Sequence, residues 1–323
     1  MKAAVVFQKG TLPKYVRDFE DPVTENENEV LISVRAAAIK NLDKMRASGK
    51  HYSMQSIDKP IVVGGDGVGT LEDGTWVYAP GLSGMVAEKA IIDKNRMVKL
   101  PEGMDPALAA ALPNAVMGSA LALHFRAALQ KGETVLINGA TGVTGRVAVQ
   151  LARYYGAKKV IATGRNEASL QALLRLGADE IISLKQEDQS FVAQIKHKHE
   201  QGPIDVVIDY LWGGSAELIL LALKGNGGFS PRTRYISVGG MAGDSINLSS
   251  SVLRGTDIQI SGSGLGSWKP QEVQYLFTDI LPETFQLATE GNLTMDMLPV
   301  ELKDVENVWD MAVSGGKRLV VMI

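Results

Sequence analysis

Along the first third of the chain, apolar positions come in short alternating runs parted by turn residues. Ala3–Phe7, Glu29–Ala36, Ile61–Val63, Thr75–Tyr78 and Val86–Ile92 each read as a strand. Glycine-rich breaks such as Gly64-Gly65-Asp66-Gly67 lie between them. This pattern predicts a mostly β domain over residues 1–117. Near its end, Asp105 is a good N-cap and Pro106 suits a first helical turn, so a helix is expected to start there.

From about Ala115 the period changes. Strand-like runs at Thr134–Asn138, Val160–Thr163, Glu180–Ser183, Asp205–Asp209, Tyr235–Val238 and Ile258–Ser261 alternate with helical patterns. The helical patterns cover Gly145–Tyr155, Glu167–Leu176, Gln189–His199 and Ser215–Leu223. Short β-branched runs without interior charge fit strands covered on both faces. Six of them in this alternation match a Rossmann dinucleotide-binding domain, expected at 118–266. The fold class is therefore α/β, a mostly β domain plus a doubly wound parallel sheet. After Gly266 comes an amphipathic helix at Gln271–Ala288, then two strand-like runs, Met297–Leu302 and Arg318–Met322. These are expected to rejoin the first domain, making it discontinuous over 1–117 and 267–323.

Composition narrows the function. The 323 residues carry 33 Lys+Arg against 36 Asp+Glu, a formal net charge of −3, which argues against a nucleic-acid partner. There is no cysteine, so disulfides, thiolate nucleophiles and sulfur-ligated zinc are excluded. The apolar run after Lys2 is too short for a secretory signal, and the uncharged stretch Pro106–Leu123 reads as a buried helix rather than a membrane span. A cytoplasmic protein without a membrane partner is expected.

The most informative stretch is Thr134–Arg146, TVLINGATGVTGR, in which a buried strand runs through a glycine loop into the apolar-periodic helix at Val147–Ala152. A helix N-terminus offers unpaired N–H groups and the positive end of a dipole, and glycine lets a pyrophosphate approach the backbone. Gly139, Thr141, Gly142, Val143, Thr144 and Gly145 are the candidate phosphate contacts. At the end of the next strand stand Gly164, Arg165 and Asn166, with no carboxylate for a ribose diol. Arg165 suits a 2′-phosphate, which selects NADPH over NADH; Asn166 is placed as the cap of the following helix. Further cofactor contacts are expected at other strand ends: Leu211, Gly239, Gly240, Ser263 and Gly264. The Tyr-x-x-x-Lys spacings at Tyr154/Lys158 and Tyr155/Lys159 lie just after the first Rossmann helix and are taken as coincidence.

Several further segments carry a resemblance. They are Ala36–Asp43 with Arg46 and Gly49, Gly64–Gly69, Leu100–Gly103, Ala109–Pro113, Lys131–Val135 and the Gly139–Gly145 loop. Over nearly its full length the chain resembles the medium-chain dehydrogenase/reductase superfamily, in the zinc-free quinone oxidoreductase branch. The resemblance implies a GroES-like β domain closed by carboxy-terminal elements, an NADPH domain within it, an active site in a cleft between them, and a homodimer in which Asp257–Gly266 pairs with its twin. Zinc-dependent relatives carry Gly-His-Glu where this chain has Gly64-Gly65-Asp66, so no metal is expected.

Without a metal to polarise an alcohol, the expected acceptors are quinones and α,β-unsaturated carbonyls, whose developing oxyanion needs hydrogen-bond donors. Asn41, Arg46 and Tyr52 are the catalytic candidates; Tyr52 is either a proton donor or a packing residue. Asp43 is expected to be structural and paired with Arg46; Lys317 resembles a carboxy-terminal basic position of the family, which implies either an approach to the cofactor phosphates or a plain surface lysine. Two other readings stay open: an enoyl-thioester reductase, and a catalytically idle NADPH-binding or redox-sensing protein.

Overall fold

A computed structural model describes residues 1–49, 59–225 and 227–323. It divides into two compact units, Met1–Asn114 with Tyr275–Ile323, and Ala115–Gln274.

In the first unit the chain forms β1 (Ala3–Val6), β2 (Lys14–Val16), β3 (Glu29–Ile39), α1 (Asn41–Ala47), β4 (Ile61–Val62), β5 (Asp66–Thr70), β6 (Trp76–Pro80), β7 (Lys89–Asp93) and β8 (Val98–Lys99), and α2 (Pro106–Leu121) begins in it and continues past Asn114. In the second it forms β9 (Thr134–Asn138), α3 (Val143–Tyr154), β10 (Lys159–Gly164), α4 (Glu167–Arg175), β11 (Glu180–Ser183), α5 (Asp188–Gln201), β12 (Val206–Asp209), α6 (Gly213–Ala222), β13 (Thr233–Ser237), α7 (Ser250–Gly255) and β14 (Ile258–Gly262). After α8 (Pro270–Tyr275), the elements α9 (Leu281–Thr289), β15 (Met297–Glu301), α10 (Val305–Val308) and β16 (Arg318–Met322) complete the first unit.

The second unit is a parallel sheet in the order β11-β10-β9-β12-β13-β14. Numbered within the unit this is 3-2-1-4-5-6, the doubly wound order, with its switch point between β9 and β12. Strands such as Thr134–Asn138 and Val206–Asp209 are buried along their whole length because helices cover both faces. The core gathers Leu136, Ile161, Phe191, Ile195, Val207, Ile219 and Tyr235.

The first unit holds a sheet ordered β15-β16-β3-β5-β6-β8, with β7 also paired to β3, and a smaller one ordered β2-β1-β4. β16 runs antiparallel to β3, with Val320 opposite Ala38. Ile32, Val77, Met85, Ile92, Trp309 and Leu319 pack its core. The break expected at Gly64-Gly65-Asp66-Gly67 instead runs into strand β5, which contains Gly67 and Gly69. A Cβ on Gly69 would come within 2.5 Å of Ser33 O, so glycine is what lets β5 lie against β3. A strand here carries no β-branched run, which is why alternation misses it.

The apolar stretch forms a helix continuous through a π-helical segment at Ala122–Arg126. Pro106–Arg126 is long and apolar enough to cross a membrane, yet 72% of its most apolar window is buried inside the protein.

Candidate functional site

In the second unit the glycine loop sits where the sequence predicts a strand-to-helix turn. Gly139 has φ +81 and follows β9 directly, while Gly142 is the N-cap of α3. Among the described residues no side chain caps that end, so the first-turn N–H groups of α3 keep their hydrogen-bonding capacity. A Cβ on Gly142 would meet only Gly139 O, at 3.8 Å, so the loop is open on that side. Gly145 is shut in: its Cβ would lie 2.6 Å from Ala140 Cα. The helix can approach the loop only because position 145 has no side chain. The donor set and the open backbone fit a pyrophosphate.

The other candidates fall into different roles. Thr144 turns its methyl toward Gly118, whose Cβ would lie 2.9 Å from it. Arg165 is exposed at the end of β10, beyond buried Gly164. Asn166 caps α4, its Oδ1 accepting the Ser169 N–H at 2.8 Å. Leu211 lies over Gly139, where a Cβ would stand 2.7 Å from Leu211 Cγ. Gly239 is pressed against Tyr210 O, and Gly240 against Gly243 O. The Ser263 hydroxyl accepts the Trp268 indole N–H at 3.0 Å, and Gly264 N donates to Ser267 Oγ.

In the first unit, Asn41 opens α1 and is exposed; Arg46 is half-buried in the same helix. A Cβ on Gly65 would lie 3.2 Å from Arg46 Nη1 and 3.3 Å from Asp43 Oδ1, so the bare glycine makes room for both. Asp43 is structural, but its ion pair is with Lys40, at 3.2 Å, rather than with Arg46. Lys317 is exposed just before β16. Tyr52 lies outside the described residues.

The sequence reading missed a buried charge cluster. Lys40 is 3% exposed; its ammonium donates to Asp66 Oδ1 and to Ala38 O and pairs with Asp43. Tyr78 donates to the other Asp66 oxygen at 2.7 Å. Burial opposes the ammonium, yet Asp43 and Asp66 together hold its pKa above the usual lysine value. Burial, then the Asp66 charge, pushes the Tyr78 phenol well above the usual range. Arg318 is buried beside them: its Nη2 donates to Asn114 Oδ1 at 3.2 Å and its Nε has no partner among the described residues. Burial pulls its pKa down, against the pull of Asp66 and Asp43. The only hint in the sequence is a lysine ending the run Ala36–Ile39. Among the described residues, no group of three or more His, Asp and Glu is arranged to hold a metal ion.

A family profile described as zinc-binding dehydrogenase matches residues 143–281. The quinone oxidoreductase of Sus scrofa is 30% identical over 287 residues, covering 85% of this chain and 84% of that one. The solved quinone oxidoreductase of Thermus thermophilus, known also in complex with NADPH, is 26% identical and covers 100% of both chains, with a TM-score of 0.77. A mycobacterial quinone oxidoreductase shares the fold, with a TM-score of 0.84 at 18% identity. The chain therefore belongs to the medium-chain dehydrogenase/reductase superfamily, as an oxidoreductase of the quinone oxidoreductase branch.

Proposed function

We propose that this protein transfers a hydride from NADPH to a quinone or an α,β-unsaturated carbonyl without a metal ion. The observation that carries the proposal is the uncapped N-terminus of α3 behind the Gly139–Gly145 loop, with Arg165 at the end of the next strand. When bound, NADPH supplies the hydride. The chain's own residues do the rest. The first-turn amides at Val143, Thr144 and Gly145 hold the pyrophosphate, with Thr141 and Gly142 forming the loop's open side. Arg165, beyond Gly164, pairs with the 2′-phosphate, and Lys317 adds charge for the phosphates. Leu211, Gly239, Gly240, Ser263 and Gly264 line the nicotinamide end. Asn41 and Arg46 donate to the oxygen on which charge develops, and Tyr52 supplies a proton.

Zinc does not fit the donors available. The chain has no cysteine, Gly65 stands where the zinc motif has histidine, and Asp66 is already held by Lys40 and Tyr78. An already electrophilic acceptor needs no Lewis acid. We also assign a homodimer, formed where β14 ends the parallel sheet and leaves an edge to pair.

NADPH oxidation against a panel of quinones and enones, with a chelator present throughout, tests the proposal. Turnover that survives chelation supports it. Turnover lost with the chelator, or NADPH binding without turnover on any acceptor, sinks it.

A further inference from the structure

We infer that Asp209 is a positioning residue for the cofactor loop, acting through Asn138 and Thr163. The inference rests on the reading of Gly139–Gly145 as the NADPH site. Asp209 ends β12 and is fully buried, yet no cation pairs with it among the described residues. Its charge is held by four neutral donors instead. Oδ1 accepts Asn138 Nδ2 at 2.8 Å, Leu211 N at 2.8 Å and Trp212 N at 3.1 Å; Oδ2 accepts the Tyr235 hydroxyl at 2.6 Å. Burial, then the Asp209 charge, pushes that phenol well above the usual tyrosine range, so it stays a donor.

From Asp209 the bonds run on toward the loop. Asn138 Oδ1 accepts from the Thr163 hydroxyl at 2.7 Å, and Thr163 Oγ1 accepts the Gly139 N–H at 3.2 Å. The directions are fixed. A carboxylate can only accept, so Asn138 must present its amide NH₂ to Asp209 and its oxygen to Thr163. The Thr163 proton is then committed to Asn138, which leaves its lone pairs for Gly139. Ser215 Oγ takes the second Asn138 N–H at 3.0 Å.

The same carboxylate shapes a second turn. Trp212 has φ +57, a conformation side chains rarely adopt, and its N–H and that of Leu211 end on Asp209 Oδ1. Leu211 in turn fills the space beside Gly139. One buried group at the β9/β12 switch point thus sets both the glycine loop and the Leu211 turn. Stability alone would be served as well by an apolar core, since a buried charge is costly to desolvate. A fully satisfied polar network instead fixes a single arrangement.

Thr163→Val keeps the shape and removes the relay; Thr163→Ser keeps the hydroxyl. NADPH binding by nucleotide fluorescence is measured first on the unmodified protein. Failure there overturns the site reading itself, separately from the positioning role. Given binding, Thr163→Val is expected to weaken NADPH about fivefold, the central value for one net hydrogen bond. Thr163→Ser should restore it to within about twofold, and kcat at saturating NADPH should hold while KM rises. Asn138→Leu, which keeps the side chain's shape and cuts the link between Asp209 and Thr163, is expected to weaken NADPH similarly and gives a second reading should Thr163→Val not fold. Unchanged NADPH affinity in a folded Thr163→Val or Asn138→Leu variant, even with a lower Tm, overturns the proposal.

Discussion

Thr141 occupies the space that a side chain at position 164 would need: a Cβ on Gly164 would stand 2.3 Å from Thr141 Cγ2. The end of β10 and the glycine loop are thereby interlocked, and a methyl group at either place disturbs the other. Gly164→Ala should push Thr141 aside and raise the KM for NADPH about tenfold, with kcat little changed, since overpacking costs about 1–3 kcal/mol. Steady-state kinetics with NADPH varied would show it. The contrast is Gly145→Ala, whose new methyl meets the Ala140 backbone at 2.6 Å and cannot be relieved by a rotamer. That variant should lose stability in a thermal melt as well as binding.

Arg165 and Asn166 are neighbours with separable jobs. Arg165→Ala should weaken NADPH by about ten- to a hundredfold and leave NADH unchanged, the worth of a charge-assisted contact. A parallel titration with both cofactors checks this, and equal losses for the two would contradict a 2′-phosphate contact.

Asn166→Ala instead removes the helix cap seen at 2.8 Å from Ser169 N. It should cost about 1 kcal/mol of stability, read as a lower Tm, while the NADPH to NADH preference stays as it was.

The Lys40 cluster makes a pH prediction. Asp43 and Asp66 raise the Lys40 pKa above its usual 10.5, so its contribution to stability is whole below that pH. It is lost only as pH climbs through the raised folded value. Alkaline unfolding should therefore begin above pH 10.5 where this residue governs it. Lys40→Met leaves two buried carboxylates without their cation and should cost about 3–5 kcal/mol at neutral pH. Denaturant melts of the variant and the parent at neutral pH would reveal the loss.

How much of this was legible in the sequence depends on what each residue leans on. Thr134–Asn138, Glu180–Ser183 and Arg318–Met322 stand in the structure with the bounds that their apolar runs predict. The first and last are buried by neighbours packed above and below, and Glu180–Ser183, at the sheet edge, only in part. β5 was hidden because its glycines answer to Ser33 and Ala36 on another strand, a contact with no local mark. Helix α1, Asn41–Ala47, was hidden too: it is short, and Lys44 and Arg46 break any apolar stripe. Lys40 and Asp209 are the deeper omissions. A charged residue is expected at the surface, and only the donors that gather around it in three dimensions explain its burial. The phosphate loop was readable because strand, glycine turn and helix are contiguous; the residues that hold the loop in shape come from three other strands.

The pairing of β16 with β3 also dictates an order of events during synthesis. The second unit is one unbroken stretch, Ala115–Gln274, and has all its strands once that stretch has left the ribosome. The first unit must wait. Ala36–Ile39 stay without their β16 partners until Leu319–Met322 emerge, and β15 then closes on the far side of β16. Of the two units, the one whose strands begin first is thus completed second, and β3 keeps an open edge while the whole of Ala115–Gln274 is made. Truncation just before Arg318 would remove the strand that lies between β15 and β3, and would leave a product prone to aggregate through β3.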